Sequence, residues 1–187
     1  MGLRQSQTVT LTSSQAVRFL VTLIGDSSIA LPAQWVRGIV IPTSVGRDGV
    51  LTWADASYEP SDLAGRLKLA SQGRSAETRV VLYGHDHQRR SFAVDRVVGI
   101  VDVERTMIQP LPAHFRGAER DRLLGLFAEK DSVALIANPF WILDFPSRKN
   151  ALDVFVLCLS EHRSGETEGR LQLPVATLDA VPVGHAG

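Results

Sequence analysis

Between Arg79 and Val103 the chain reads RVVLYGHDHQRRSFAVDRVVGIVDV, and this stretch narrows the fold more than any other. Arg79 to Tyr83 is apolar and β-branched, Ser91 to Val94 returns, and Val97 to Val103 runs on with Gly99 inside it. Gly84-His85-Asp86-His87 supplies turn chemistry between the first two runs. Turn residues between two such runs predict a β-hairpin, here followed directly by a third strand.

The same pattern recurs on both sides. Val17–Ile24 is apolar and β-rich, Gly25-Asp26-Ser27-Ser28 is a turn, Ile29–Pro32 resumes, and Trp35–Ile41 is strand-like. Pro42–Gly49 is loop and Val50–Trp53 a short strand. Ser61–Leu69 predicts about two helical turns with Ser61 or Asp62 as cap. The polar linker Ser71–Thr78 separates two halves. Beyond the hairpin unit, part of Ala113–Phe127 reads as a short helix or ordered loop. Leu124–Ala128 and Val133–Ala137 read as strands, with Asn138-Pro139 opening a turn or helix before the apolar segment Phe140–Phe145. Many short strands with turn signals between them point to an all-β barrel or sandwich.

The tail adds two further strand-like runs, Leu152–Ser160 and Arg170–Val183. DVFVLCLS followed by LQLPVATLDAVPVG matches in spacing VRFLVTLI followed by IALPAQWVRGIVIP, a weak internal repeat whose second copy stops after its opening strands. A lone hairpin is marginal. The tail is therefore expected to dock on the first barrel of its own chain, or, second, to swap into a partner copy and make a homodimer, the third solution being a strand added by a partner protein.

Charge removes one functional class. Twenty Lys and Arg balance twenty Asp and Glu, so the basic footprint of a nucleic-acid binder is missing. No apolar run approaches the length of a membrane span, no apolar signal segment opens the chain, and the single Cys158 sits in an apolar run as a small core hydrophobe. These features fit a cytoplasmic protein. His85-Asp86-His87 invites a metal reading, but a polar hairpin tip uses the same residues and no third or fourth ligand is identifiable. Asp95 admits a catalytic reading, against which stands an Asp that orders a turn or edge. No nucleophile triad, phosphate loop or Cys/His cluster appears, so no enzyme and no cofactor is expected.

The run from FLVTLIGDSSIALPAQWVRGIV through GVLTWADASYEPSDLAGRL, VDRVVGIV and IQPLP to LLGLFAEKDSVALIANPFWIL resembles the CheW-like family of chemotaxis coupling proteins. The resemblance implies two packed five-stranded SH3-like β-barrels over residues 14–145, the first about 14–70 and the second about 79–137, with residues 146–187 an extra C-terminal hairpin. It implies a non-catalytic adaptor that binds the regulatory domain of a CheA-type histidine kinase and a chemoreceptor signalling tip. The alternative is a protein-interaction module of the same type outside chemotaxis. Partner-binding residues carried over are Trp35, Val36, Arg37 and Gly38 after the Leu-Pro step, and Thr52, Trp53 and Ala54. For Trp35 the competing reading is filler in the seam between barrels. At 52–55 the family carries Asn-Leu-Arg-Gly and this chain Thr-Trp-Ala-Asp, so the family's Arg is replaced by Ala54.

Overall fold

A computed structural model describes residues 16–42 and 50–145. Ten strands form two five-stranded antiparallel-rich sheets. In chain order they are β1 (Ala16–Ile24), β2 (Ser27–Pro32), β3 (Val36–Val40), β4 (Leu51–Trp53) and β5 (Ala56–Pro60), then β6 (Arg79–His85), β7 (Gln88–Val94), β8 (Arg96–Glu104), β9 (Leu123–Glu129) and β10 (Ser132–Ala137). Three short helices, α1 (Leu63–Leu67), α2 (Ala118–Arg122) and α3 (Pro139–Ile142), lie between or after them. The expected all-β architecture of two packed SH3-like barrels holds. The anticipated hairpin β6–β7 and its continuation β8 are present. Their turn is tighter than expected, because His85 pairs with Gln88 and only Asp86 and His87 form the loop.

The division of the chain between barrels needs correction. The sheets run β8-β1-β2-β10-β9 and β3-β6-β7-β5-β4. The boundary thus falls neither at residue 70 nor in the 71–78 linker. The central barrel is continuous, residues 36–94, and the terminal barrel is built from 16–32 together with 96–137. The physical reason lies at both ends of β2. Its edge is taken in parallel by β10, with Ser28, Ala30 and the residue between them facing Ala134–Ile136. At its end Pro32, which has no N–H to continue a ladder, leads into a 3-10 turn at Ala33–Trp35 that carries the chain into the other sheet. A second correction is β5, which the weak segment 50–60 did not suggest. Cys158, the runs Leu152–Ser160 and Arg170–Val183, and the extension 146–187 lie outside the described residues.

Strand alternation sorts the apolar side chains into three cores. Val17, Phe19, Val21, Ala30, Val103, Leu124, Phe127, Ala134 and Ile136 fill the terminal barrel. Val40, Leu51, Ala56, Tyr58, Val80 and Leu82 fill the central one. The residues between them in sequence turn the other way and meet in a seam between the barrels. Leu20, Ile24, Ile29 and Leu31 come from one side, and Trp35, Val81, Tyr83, Phe92 and Val94 from the other. β1 and β6 bury both faces, which is why they read as unbroken apolar runs rather than alternating ones. The seam is lidded by Leu63 of α1 and by Ile142 and Leu143 at the end of α3. Both helices start where a side chain caps them: Asp62 accepts from the Gly65 N–H, and Asn138 from that of Phe140.

Closure differs between the barrels. Just beyond β8, Gln109 and Leu126 exchange both backbone hydrogen bonds, at 2.8 and 2.9 Å, and join the two ends of the terminal sheet. Among the described residues no backbone pair joins β3 to β4 at the ends of the central sheet.

Candidate functional site

The segments that follow the Leu-Pro step and the 50–55 strand were expected to carry the contact surface, and the fold brings them together. β3 enters the central barrel with a bulge: Val36 faces Tyr83 and Gly38 faces Leu82, so Arg37 has no partner opposite it. The exposed Arg37 side chain folds across the strand end, its Nε donating to the Gly84 carbonyl at 2.9 Å. Gly38 is buried beneath the Trp53 indole. A Cβ there would stand 3.3 Å from Leu82 and 3.5 Å from Trp53 Nε1. The indole thus occupies the gap between β3 and β4 that backbone pairing leaves open.

β4 returns to β5 through the two-residue loop Ala54-Asp55, with φ at 47° and 60°. Two positive φ values in a two-residue hairpin loop define a type I′ turn, which favours Asn-Gly. Ala54 carries a Cβ into the left-handed region, at a cost of roughly 1–2 kcal/mol. Thr52, Ala54 and Asp55 are exposed around the half-buried Trp53.

Trp35 has a different place. It is 4% exposed and belongs to the seam. Its ring stacks on Tyr83 at 6.2 Å and meets His85 at 4.8 Å, Phe140 at 5.2 Å and Phe145 at 6.3 Å. The assignment of Trp35 to an exposed contact surface is therefore corrected. It is brought inside by aromatic neighbours 48 to 110 positions away, which strand spacing does not reveal. Val36 is half-buried beside it. Of the seven expected residues, Arg37, Thr52 and Ala54 are solvent-facing, Val36 and Trp53 are partly so, and Trp35 and Gly38 are interior.

The other residues singled out in the sequence have structural surroundings. His85 lies against Trp35, with its Nε2 3.4 Å from Asp86. Asp95 gathers three segments. It accepts from the Gly25 N–H at 2.6 Å, the Ser71 hydroxyl at 2.6 Å and the Gln72 N–H at 3.1 Å. Burial pushes its carboxyl up, but the hydrogen bonds from Ser71, Gly25 and Gln72 outweigh that and hold it below the usual carboxylate range. The turn it braces is tight. Gly25 has φ 58° and a Cβ there would meet the Ala70 carbonyl oxygen at 2.1 Å.

One arrangement had no sequence signal. Arg66 of α1 donates to the carbonyls of Trp141 at 2.7 Å and Ile142 at 3.1 Å and to Asp144 at 2.7 Å, while its guanidinium lies 4.3 Å from the Trp141 ring centre. Arg90 pairs with Glu59 and also reaches Asp144 at 3.3 Å. Arg122 faces the same indole at 5.7 Å. This clasp fastens α1 and β7 of the central barrel to the α3 segment that lids the seam. Its partners are separated by up to 78 positions, so no local pattern announces them. Among the described residues no helix is long and apolar enough to cross a membrane.

Comparison with known proteins places this geometry. Residues 18–145, more than half of the chain, match the family described as CheW-like domain. Among solved structures, the scaffolding protein TtCheW from Thermoanaerobacter tengcongensis is similar, with a TM-score of 0.58 at 17% identity, covering 66% of this chain and 89% of that one. At that identity the likeness speaks for the fold. No curated protein matches the chain.

Proposed function

The chain belongs to the CheW-like domain family, and from that premise we propose that it is a non-catalytic cytoplasmic adaptor of chemotaxis-type signalling. In this reading it couples a partner to the regulatory domain of a CheA-type histidine kinase. The work is done by docking: a partner that binds one arrangement of the kinase better than the other shifts the balance between them.

The observation that carries the reading is the face formed by Arg37, Thr52, Trp53 and Ala54 at the open side of the central barrel. An arginine and a tryptophan are the side chains most often found at the centre of protein contacts. Here the bulge at Arg37 and the I′ turn at Ala54 hold both on strands rather than on a long loop. The kinase regulatory domain is the partner we assign to this face. A chemoreceptor tip is the weaker partner, because Ala54 replaces the Arg that the family places there and supplies neither charge nor donors.

Titration of the full chain against a CheA-type regulatory domain and against a receptor signalling tip tests this directly. Binding to the kinase domain that Arg37→Glu weakens about tenfold or more, a loss of about 1.4 kcal/mol, supports the assignment. Ala54→Arg, which restores the guanidinium at this position, should raise affinity for the receptor tip. Binding to neither partner would move the protein to the alternative, an interaction module of the same fold outside chemotaxis.

A further inference from the structure

β8 is the end strand of the terminal sheet and, among the described residues, pairs only with β1. Its neighbour β1 buries both faces, yet β8 leaves Val98 41% and Ile100 46% exposed. The other exposed large apolar residues, Ile41, Val50, Met107 and Val133, stand singly on different segments. Only on β8 do two share a strand. Val98 is the bulged residue, because the register passes from Gly99 opposite Val21 to Val97 opposite Thr22. Val97, beside them, packs on the seam.

We propose that the run Leu152–Leu159 of this same chain lies along β8 and covers Val98 and Ile100. Three observations point to this occupant. Phe145, where the described chain ends, packs on the same seam cluster as Val97, so the chain leaves the fold at the seam's rim. The run LDVFVLCL then follows after six residues, a tether that reaches about 20 Å when extended. Seven of its eight side chains are apolar, and burying each large one is worth about 1.5–3 kcal/mol, so it needs a covered position. The bulge at Val98 interrupts the ladder, and Ile100–Glu104 beyond it offers a regular strand edge whose backbone groups a neighbouring strand would satisfy. The inference does not depend on which protein the adaptor binds.

Cys158 is the only cysteine in the chain, which makes the test selective. The full-length Ile100→Cys variant carries two thiols. Treatment with a short bismaleimide should join them within one molecule, read by intact mass as a monomer with both thiols consumed. Val133→Cys on β10, equally exposed, should give only a trace of that product. Phe155→Asp placed in the Ile100→Cys chain should lose the crosslink. If Ile100→Cys does not fold, Asp102→Cys on the same strand takes its place. Equal crosslinking at Ile100 and Val133, or none at either, overturns the proposal. Linked dimers overturn it as well, since they place a second copy's tail on β8.

Discussion

The terminal and central barrels share a five-strand plan and are held shut by different means. In the terminal barrel a backbone pair, Gln109 with Leu126, completes the ring around Phe19 and Phe127, whose rings lie 5.4 Å apart. In the central barrel the β3–β4 gap is filled by the Trp53 indole resting on Gly38. Backbone closure is indifferent to which side chains are present. Closure by one side chain ties the shape of that face to the identity of two residues.

The contrast breaks or sharpens under mutation. Phe127→Ala, inside the closed barrel, should cost about 3–5 kcal/mol in denaturant unfolding. Trp53→Ala, partly solvated at the open one, should cost about 2 kcal/mol. Equal losses would mean that the open barrel relies on its plug as heavily as the closed one relies on its core. Next in size is the coupling between Gly38 and Trp53. Gly38→Val should destabilise the chain that has Trp53 more than one carrying Trp53→Leu, where only the 3.3 Å approach to Leu82 remains, an interaction of about 1–2 kcal/mol in a double-mutant cycle.

Asp95 belongs to the junction of the two barrels, and Asp95→Ala should cost about 1 kcal/mol at neutral pH. Its folded-state pKa lies below the unfolded value, so the unfolded chain takes up the proton first on acidification. The stabilisation is complete above the ordinary value of about 3.9 and is lost as pH falls through the lower, folded one. Stability profiles of the two proteins should therefore converge in acid; parallel profiles would remove Asp95 from the pH response. Replacing the Ala54-Asp55 turn by Asn-Gly should stabilise the central barrel by about 0.5–1 kcal/mol, seen as a rise in Tm. The smallest effect belongs to the exposed Arg18–Asp102 pair across β1 and β8. Arg18 lies 2.7 Å from Asp102, whose carboxyl the Arg18 hydrogen bond draws down. Arg18→Ala should change stability by no more than about 0.5 kcal/mol, and less at high salt.

Much of this molecule was legible before its coordinates. The apolar runs gave nine of the ten strands, Asp62 and Asn138 capped helices where their positions suggested, and the segment order led to the family. β5 was not legible. Its sequence ASYEP carries Ser, Glu and Pro, and its parallel pairing with β7 rests on two residue pairs. The exchange of strands between barrels was missed because neighbouring strands usually pair, whereas β2 takes β10 as its partner across about a hundred residues. At the candidate site, the resemblance pointed to Arg37, Thr52, Trp53 and Ala54 together with Trp35, and the sequence could not tell which of them face solvent. Only the meeting of Trp35 with Tyr83 and Phe140 decides that.

The interleaved strand order sets a timetable for the newborn chain. Of the described strands the apolar β1–β2 ribbon leaves the ribosome first, and β10, the mate of β2, leaves last. At about 5–20 residues per second the wait between Ser28 and Ala134 lasts roughly 5–20 s. Meanwhile residues 36–94 are already complete and can assemble beside it. Residues 36–94 also supply the wall of the seam against which Leu20, Ile24, Ile29 and Leu31 of that ribbon pack.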